Sequence, residues 1–157
     1  VLFLDGSIQP LAKLLPTPLD LFCRMFVPER FFHKRNRRYE LAHSQYTHIM
    51  NAPYLSGCFM FLRTEVLQEV GGFDERFFMY SEDIDLTRRI HRKYKTLFFP
   101  QVSIYHKFSR GSHRNFRLFV VQIVSTIQYF FKYGWFVDKE RRQFNRQILS
   151  EIKEMQG

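Results

Sequence analysis

Three carboxylates within four residues, Glu82, Asp83 and Asp85, are the strongest chemical feature of this sequence. A carboxylate can take a proton from a hydroxyl when a rigid element holds it beside apolar surface and a second acid lies next to it. Partial desolvation and a neighbouring like charge both make it more basic. Asp83, with Glu82 adjacent, fits that description. The same residues also have a structural reading. Acids are favoured in the first turn of a helix, where backbone N–H groups are free, and Asp85 can pair with Arg88 or Arg89 across one turn. Spacing alone leaves both readings open.

The elements that must hold these acids can be read around them. Gly71-Gly72 marks a sharp turn, and the apolar run Phe77-Phe78-Met79-Tyr80 needs cover from water. Ser81 is the expected N-cap of a helix running to about Tyr94, with Leu86, Ile90 and Tyr94 as its docking stripe. Upstream, residues 54–63 are apolar on both faces and predict a buried strand. Gly57 interrupts it, either for close approach to the backbone or for packing against a helix. Thr64 is the expected cap of a short helix over 65–70, stopped by Gly71. Downstream, residues 96–99 and 102–106 predict extended segments around Pro100, with Val102, Ile104 and His106 on one face. Residues 116–133 carry a helical stripe of Phe116, Val120, Ile123, Val124, Ile127, Phe130 and Phe131. It is too short and polar to predict a membrane span. The preferred reading packs it on its own domain. The alternative lays it in a membrane interface, aided by Tyr133-Gly134-Trp135-Phe136 and the basic run 139–146. Phe144, Ile148 and Ile152 extend an amphipathic pattern to the end.

Gly71-Gly72-Phe73-Asp74-Glu75-Arg76-Phe77-Phe78-Met79-Tyr80-Ser81-Glu82-Asp83-Ile84-Asp85-Leu86-Thr87-Arg88-Arg89 resembles a segment of inverting family-2 glycosyltransferases, closest to the rhamnosyltransferase-like branch that builds bacterial surface polysaccharides. Residues 55–63, Leu-Ser-Gly-Cys-Phe-Met-Phe-Leu-Arg, are similar to that family's Ser-Gly-Ala-Phe strand, with Cys58 in place of alanine. Residues 102–106 with Gly111-Ser112 are similar to its strand ending in His and the loop after it. The resemblance implies an α/β chain: the C-terminal half of a GT-A-like three-layer fold, with a small mixed sheet and flanking helices. It implies Asp83 as catalytic base with Glu82 beside it, and Asp85 and Arg88 holding the helix. Gly57, Cys58, Tyr80, Arg110 and Ser112 become substrate-binding candidates, and His106 a metal or diphosphate ligand. The implied cofactor is a divalent cation, Mg or Mn, held mostly by a preceding nucleotide-binding half that these residues do not contain. On this reading the chain is the acceptor-side portion of a transferase and inactive alone.

Residues 1–157 then form one partial glycosyltransferase domain. Residues 1–50 are an irregular, Pro-rich and basic excursion, 51–115 the motif-bearing catalytic portion, and 116–157 the C-terminal helices. A hydrophobic fraction of 45% with 19 Phe predicts a folded chain. The net charge of +9 predicts an anionic partner such as a phosphate or a membrane surface. Cys23 and Cys58 suggest neither a disulfide framework nor metal spacing, and fit a reducing cytoplasm. No signal peptide is visible at the start. The expected partners are a nucleotide-sugar donor, a saccharide or lipid-linked acceptor, and a peripheral membrane contact at the inner face of the plasma membrane. Nucleic acid is disfavoured. The rival from another class is a non-catalytic basic module that binds membrane or nucleic acid.

Overall fold

The computed structural model describes residues 1–107 and 115–156. Strand β1 (Ala12–Lys13) is followed by helices α1 (Pro18–Phe26) and α2 (His33–Tyr39). Strands β2 (Met50–Asn51) and β3 (Tyr54–Leu55) lead to α3 (Thr64–Glu69), α4 (Glu82–His91) and β4 (Leu97–Phe98). Two long helices, α5 (Phe116–Tyr133) and α6 (Lys139–Gln156), complete the order. The architecture is α/β, as expected. Its small sheet takes the form of two antiparallel ladders, β1 with β3 and β2 with β4. The parallel component is a single bridge between Leu2 and Tyr105. Helix α4 packs on β3 and α6 on β2.

Residues 1–28 do more than cross the surface. Leu11, Ala12, Leu14 and Leu15 are buried, and the latter three join Tyr39, Met50, Phe130 and Ile148 in one core. The prolines punctuate this stretch without excluding it from the interior. Thr17 and Asp20 form a capping box and Pro18 takes the first turn, where its missing N–H costs nothing, so α1 starts cleanly. Within the excursion expected to be irregular, the basic run is helical from His33 to Tyr39, because Asn36 and Tyr39 face inward while the cations stay in water.

Four further expectations are corrected. The strand anticipated over 54–63 pairs only at Tyr54–Leu55, and Phe59 and Phe61 beyond it are exposed. Thr64 is the first residue of α3 and does not cap it; Arg63 takes the cap position without a side-chain bond. Helix α4 ends at His91. Leu86 and Ile90 dock as expected, but Tyr94 lies outside the helix and hydrogen-bonds Glu69 at the surface. In α5 the buried face is Ser125, Thr126, Tyr129 and Phe130. Most of the apolar stripe read from the sequence points outward. Ile148 and Ile152 of α6 are buried, as their spacing predicts.

Candidate functional site

The start of α4 is built differently from the serine cap expected of it. Tyr80 and Ser81 both adopt left-handed backbone angles, with φ of 66° and 63°. Ser81 makes no side-chain cap; its carbonyl accepts from the Asp85 N–H at 3.0 Å. Two adjacent non-glycine residues in this region are strained, and such strain is held only where the surroundings fix it. The kink swings the chain so that Asp83 projects toward the end of β3.

There Asp83 Oδ2 accepts from the Gly57 N–H at 2.9 Å and from the Tyr54 hydroxyl at 3.3 Å. Its Oδ1 accepts from the Ile84 N–H at 2.8 Å. Thr87 Oγ1 reaches the Asp83 carbonyl at 2.7 Å and the Leu55 carbonyl at 3.2 Å, tying helix to strand. Glycine at position 57 allows a close approach: a Cβ there would lie 3.1 Å from Asp83 Cβ, and Asp83 would have to give way by a few tenths of an ångström. Gly57 is exposed and Asp83 half-buried. The carboxylate is therefore held by three donors beside an exposed glycine edge.

Three ionisable groups surround it. Glu82 has its pKa raised, first by burial and then by the Asp83 charge, and its Oε2 is buried without a hydrogen-bond partner among the described residues. The two influences anticipated from the sequence thus act on Glu82. Burial pushes the Tyr54 phenol well up, with Asp83 adding to the shift. Lys13, opposite Tyr54 in the β1–β3 ladder, lies 5.3 Å from the centre of its ring. Burial lowers the Lys13 pKa, the Arg24 charge lowers it further, and Asp83 opposes both. Neither Tyr54 nor Lys13 was legible as a site residue. The only signal for Lys13 is a lysine set within the apolar run of residues 11–15.

The other candidates divide. Cys58 adjoins Gly57, and burial raises its thiol pKa against a hydrogen bond with Ser56. Tyr80 is half-buried at the kink. Arg110 and Ser112 lie outside the described residues. His106 is placed by the Leu2–Tyr105 bridge, and its Nδ1 shares a hydrogen bond with Gln9 at 3.1 Å. Among the described residues no three His, Cys, Asp or Glu side chains converge. Among the described residues, His106 has Gln9 as its side-chain partner, and the segment that follows it lies outside them.

Asp85 and Arg88 point into the protein. Asp85 is fully buried and meets Arg89 at 2.7 Å, Lys132 at 2.5 Å and the Tyr133 hydroxyl at 2.6 Å. Lys132 also holds Asp74. Burial pushes the Asp74 carboxyl up, but hydrogen bonds from Lys132 and Arg76 prevail and bring it to about 2. Arg88 makes a two-pronged contact with Asp138 at 2.7 and 2.8 Å, and reaches Glu140 at 2.6 Å and the Tyr129 hydroxyl at 3.2 Å. These contacts raise its pKa against the opposing effect of burial.

Beside the carboxylate runs an apolar groove of about 900 Å³. Leu55, Ser56 and Thr87 line it while Gly57 and Asp83 do not, so the two share that edge. Phe59, Phe61 and Phe98 make the groove aromatic.

Residues 25–151 match the family described as glycosyl transferase family group 2. Two curated relatives, both named N-acetylglucosaminyl-diphospho-decaprenol L-rhamnosyltransferase, come from two strains of Mycobacterium tuberculosis (CDC 1551 / Oshkosh and ATCC 25618 / H37Rv). Each is 28% identical over 116 residues, covering 71% of this chain and 36% of the relative. The chain thus spans little more than a third of the length of the relatives it matches. No solved structure matches it.

Proposed function

Because the chain belongs to glycosyl transferase family group 2, we propose that its α4 edge serves sugar transfer from a nucleotide-sugar donor to a hydroxyl of a lipid-linked saccharide. The acceptor class follows the relatives, whose names give a diphospho-polyprenol saccharide as substrate and rhamnose as the sugar. In the inverting course, the acceptor oxygen forms a bond to the anomeric carbon as the bond from that carbon to the diphosphate oxygen breaks. The diphosphate leaves with the electron pair, and Asp83 takes the hydroxyl proton. The observation that carries this reading is the Gly57 N–H on Asp83 Oδ2 at 2.9 Å, which aims the carboxylate over an exposed glycine edge. Tyr54 and Ile84 occupy two further lone-pair sites and leave one of about four for a proton, so the group is oriented before substrate arrives. Glu82, whose proton is held more tightly because of burial and the Asp83 charge, is suited to donate a hydrogen bond to the acceptor sugar.

The test is Asp83→Asn in the complete enzyme. The amide keeps the size and one accepting oxygen, so the fold and donor affinity should be retained. Sugar transfer should fall by roughly 10²–10⁴, the usual worth of a general base. Near-normal transfer would remove Asp83 from the role.

A further inference from the structure

We infer that Lys13 is an anion-binding residue of the transfer site, where its ammonium takes an oxygen of a substrate diphosphate. The β1–β3 ladder sets Lys13 directly opposite Tyr54, and residues opposite each other in an antiparallel pair project from one face. That face leads to Asp83. Lys13 Nζ lies 5.3 Å from the centre of the Tyr54 ring, and the Tyr54 hydroxyl at the end of that ring donates to Asp83 Oδ2. Asp83, Glu40 and Cys58 each act on the ammonium through their charge. Cys58 adjoins Gly57, so Lys13 feels both sides of the edge on which Asp83 is held.

Two cations meet behind this edge, and their charges are met differently. Arg24 pairs with Glu40 at 2.7 Å, bonds Asn36, and lies over the Tyr39 ring. The Lys13 ammonium has no hydrogen bond and no carboxylate within ion-pair distance among the described residues; its contact is the face of Tyr54. Lys13 is half-buried, and the Arg24 charge bears on it as well. A cation drawn partly out of water calls for a counter-charge. The chemistry proposed for the site supplies one, and the inference rests on that reading. A nucleotide-sugar donor carries a diphosphate as its leaving group, and an acceptor of the class the relatives' names give carries one as the link to its lipid. Either must approach a carboxylate that repels it, and an unpaired cation on the same face offsets that repulsion. Lysine meets a phosphate oxygen as a point charge, which requires no fixed fork. No bond is made or broken at Lys13: it binds, and Asp83 takes the proton.

The experiment is calorimetric titration of the complete enzyme with inorganic pyrophosphate. Lys13→Met keeps the stem without the charge and should weaken pyrophosphate binding by about tenfold or more. Lys13→Arg should recover most of that affinity, and circular dichroism will verify both folds. In the wild type, pyrophosphate should also protect Lys13 from reductive methylation, read by mass spectrometry, which needs no variant. Repeating the titrations with uridine and thymidine diphosphates and with geranyl diphosphate names the source. A loss on the nucleotides assigns the contact to the donor, and a loss on geranyl diphosphate assigns it to the acceptor. Asp83→Asn removes the repelling charge and should bind pyrophosphate at least as tightly as wild type. Failure of Asp83 as base would therefore appear in turnover, and failure of Lys13 in binding. Unchanged pyrophosphate affinity in Lys13→Met, or no protection of Lys13, would overturn the inference. So would weaker pyrophosphate binding by Asp83→Asn. A fall in transfer by Lys13→Met with every diphosphate affinity intact would do the same, leaving Lys13 to act only through the Tyr54 ring.

Discussion

Helix α4 carries two sets of charged groups, treated in opposite ways by the protein. At its first turn, Asp83 is held by two backbone N–H groups and one phenol, and no cation among the described residues is paired with it. One turn on, Arg88 is buried with its charge met by Asp138 and Glu140. Asp138 also accepts from the Arg141 N–H at 2.8 Å, so it caps the start of α6 while it binds Arg88. That network joins α4 to the C-terminal helix and leaves nothing for a ligand to do. Asp83 is oriented without an ion-pair partner among the described residues, beside the exposed Gly57. The contrast shows how one short helix serves two purposes: the buried ion pairs fix the helix, and the fixed helix aims the free carboxylate. Stability and chemistry should therefore separate cleanly under mutation.

Arg88→Ala should have the largest effect. It strands Asp138 in a site where both side chains are only 2% exposed, and breaking a buried pair from one side costs about 3–5 kcal/mol. A denaturant titration should show that loss, and Arg88→Lys should recover only part of it, because a lysine cannot supply the two-pronged contact. The network also has a pH signature. Burial opposes it, but hydrogen bonds from Arg88 hold Asp138 below its usual 3.8. Arg92 and Arg88 likewise hold Glu140 below 4.5. Groups with lowered pKa stabilise the fold above their unfolded values and lose that contribution as pH falls through the folded ones. Wild-type stability should thus drop below about pH 4, and the Arg88→Ala variant should show a shallower drop.

Gly57→Ala sharpens the other half of the contrast, with a smaller effect. Its Cβ would press on Asp83 Cβ at 3.1 Å, so the carboxylate must shift by a few tenths of an ångström. The edge is exposed, and the loss of stability should stay below about 1 kcal/mol. Transfer should fall by about tenfold, since small misplacements of a reacting group are costly. A variant that lost stability but kept full activity would reverse the assignment of the two regions.

What the sequence disclosed follows from local periodicity. The helix bearing Glu82 to His91 and the C-terminal helix with Ile148 and Ile152 inward are near-neighbour patterns, and both were readable. Contacts between distant segments were not. Arg88 and Asp138 are 50 residues apart, and Lys13 meets Tyr54 only through the β1–β3 register. In α5 the pattern was visible but its direction was not. Apolar residues lie on both sides, and burial of Ser125, which donates to the Met79 carbonyl at 2.7 Å, decides which side faces in. The Ser81 cap failed for a related reason. The left-handed pair Tyr80–Ser81 is imposed by packing on either side of it, which no propensity for capping encodes. Asp83 itself was legible only through its neighbours in sequence. The hydrogen bonds that orient it come from Tyr54 and Gly57 of a different element.

Glu82→Gln should have the smallest effect, and its sign is the informative part. Burial and the Asp83 charge raise the Glu82 pKa above its usual 4.5, so the folded state binds this proton more tightly than the unfolded chain does. A raised acid pKa means that the folded state binds more protons than the unfolded state between the two values. Stability therefore falls as pH climbs from about 4.5 through the folded value, and the deficit persists at neutral pH. Glutamine keeps the neutral shape without a charge to desolvate. The variant should be more stable than wild type at pH 7 by about 0.5 kcal/mol or less, with no difference in acid below the unfolded value. Thermal melts across that range will measure both ends. The stabilised variant should also be the slower enzyme, because an amide is a weaker hydrogen-bond donor to the acceptor sugar than a protonated carboxyl. A Glu82→Gln variant that was both more stable and fully active would mean that only Asp83 faces the substrate, and that Glu82 serves as its neighbour alone.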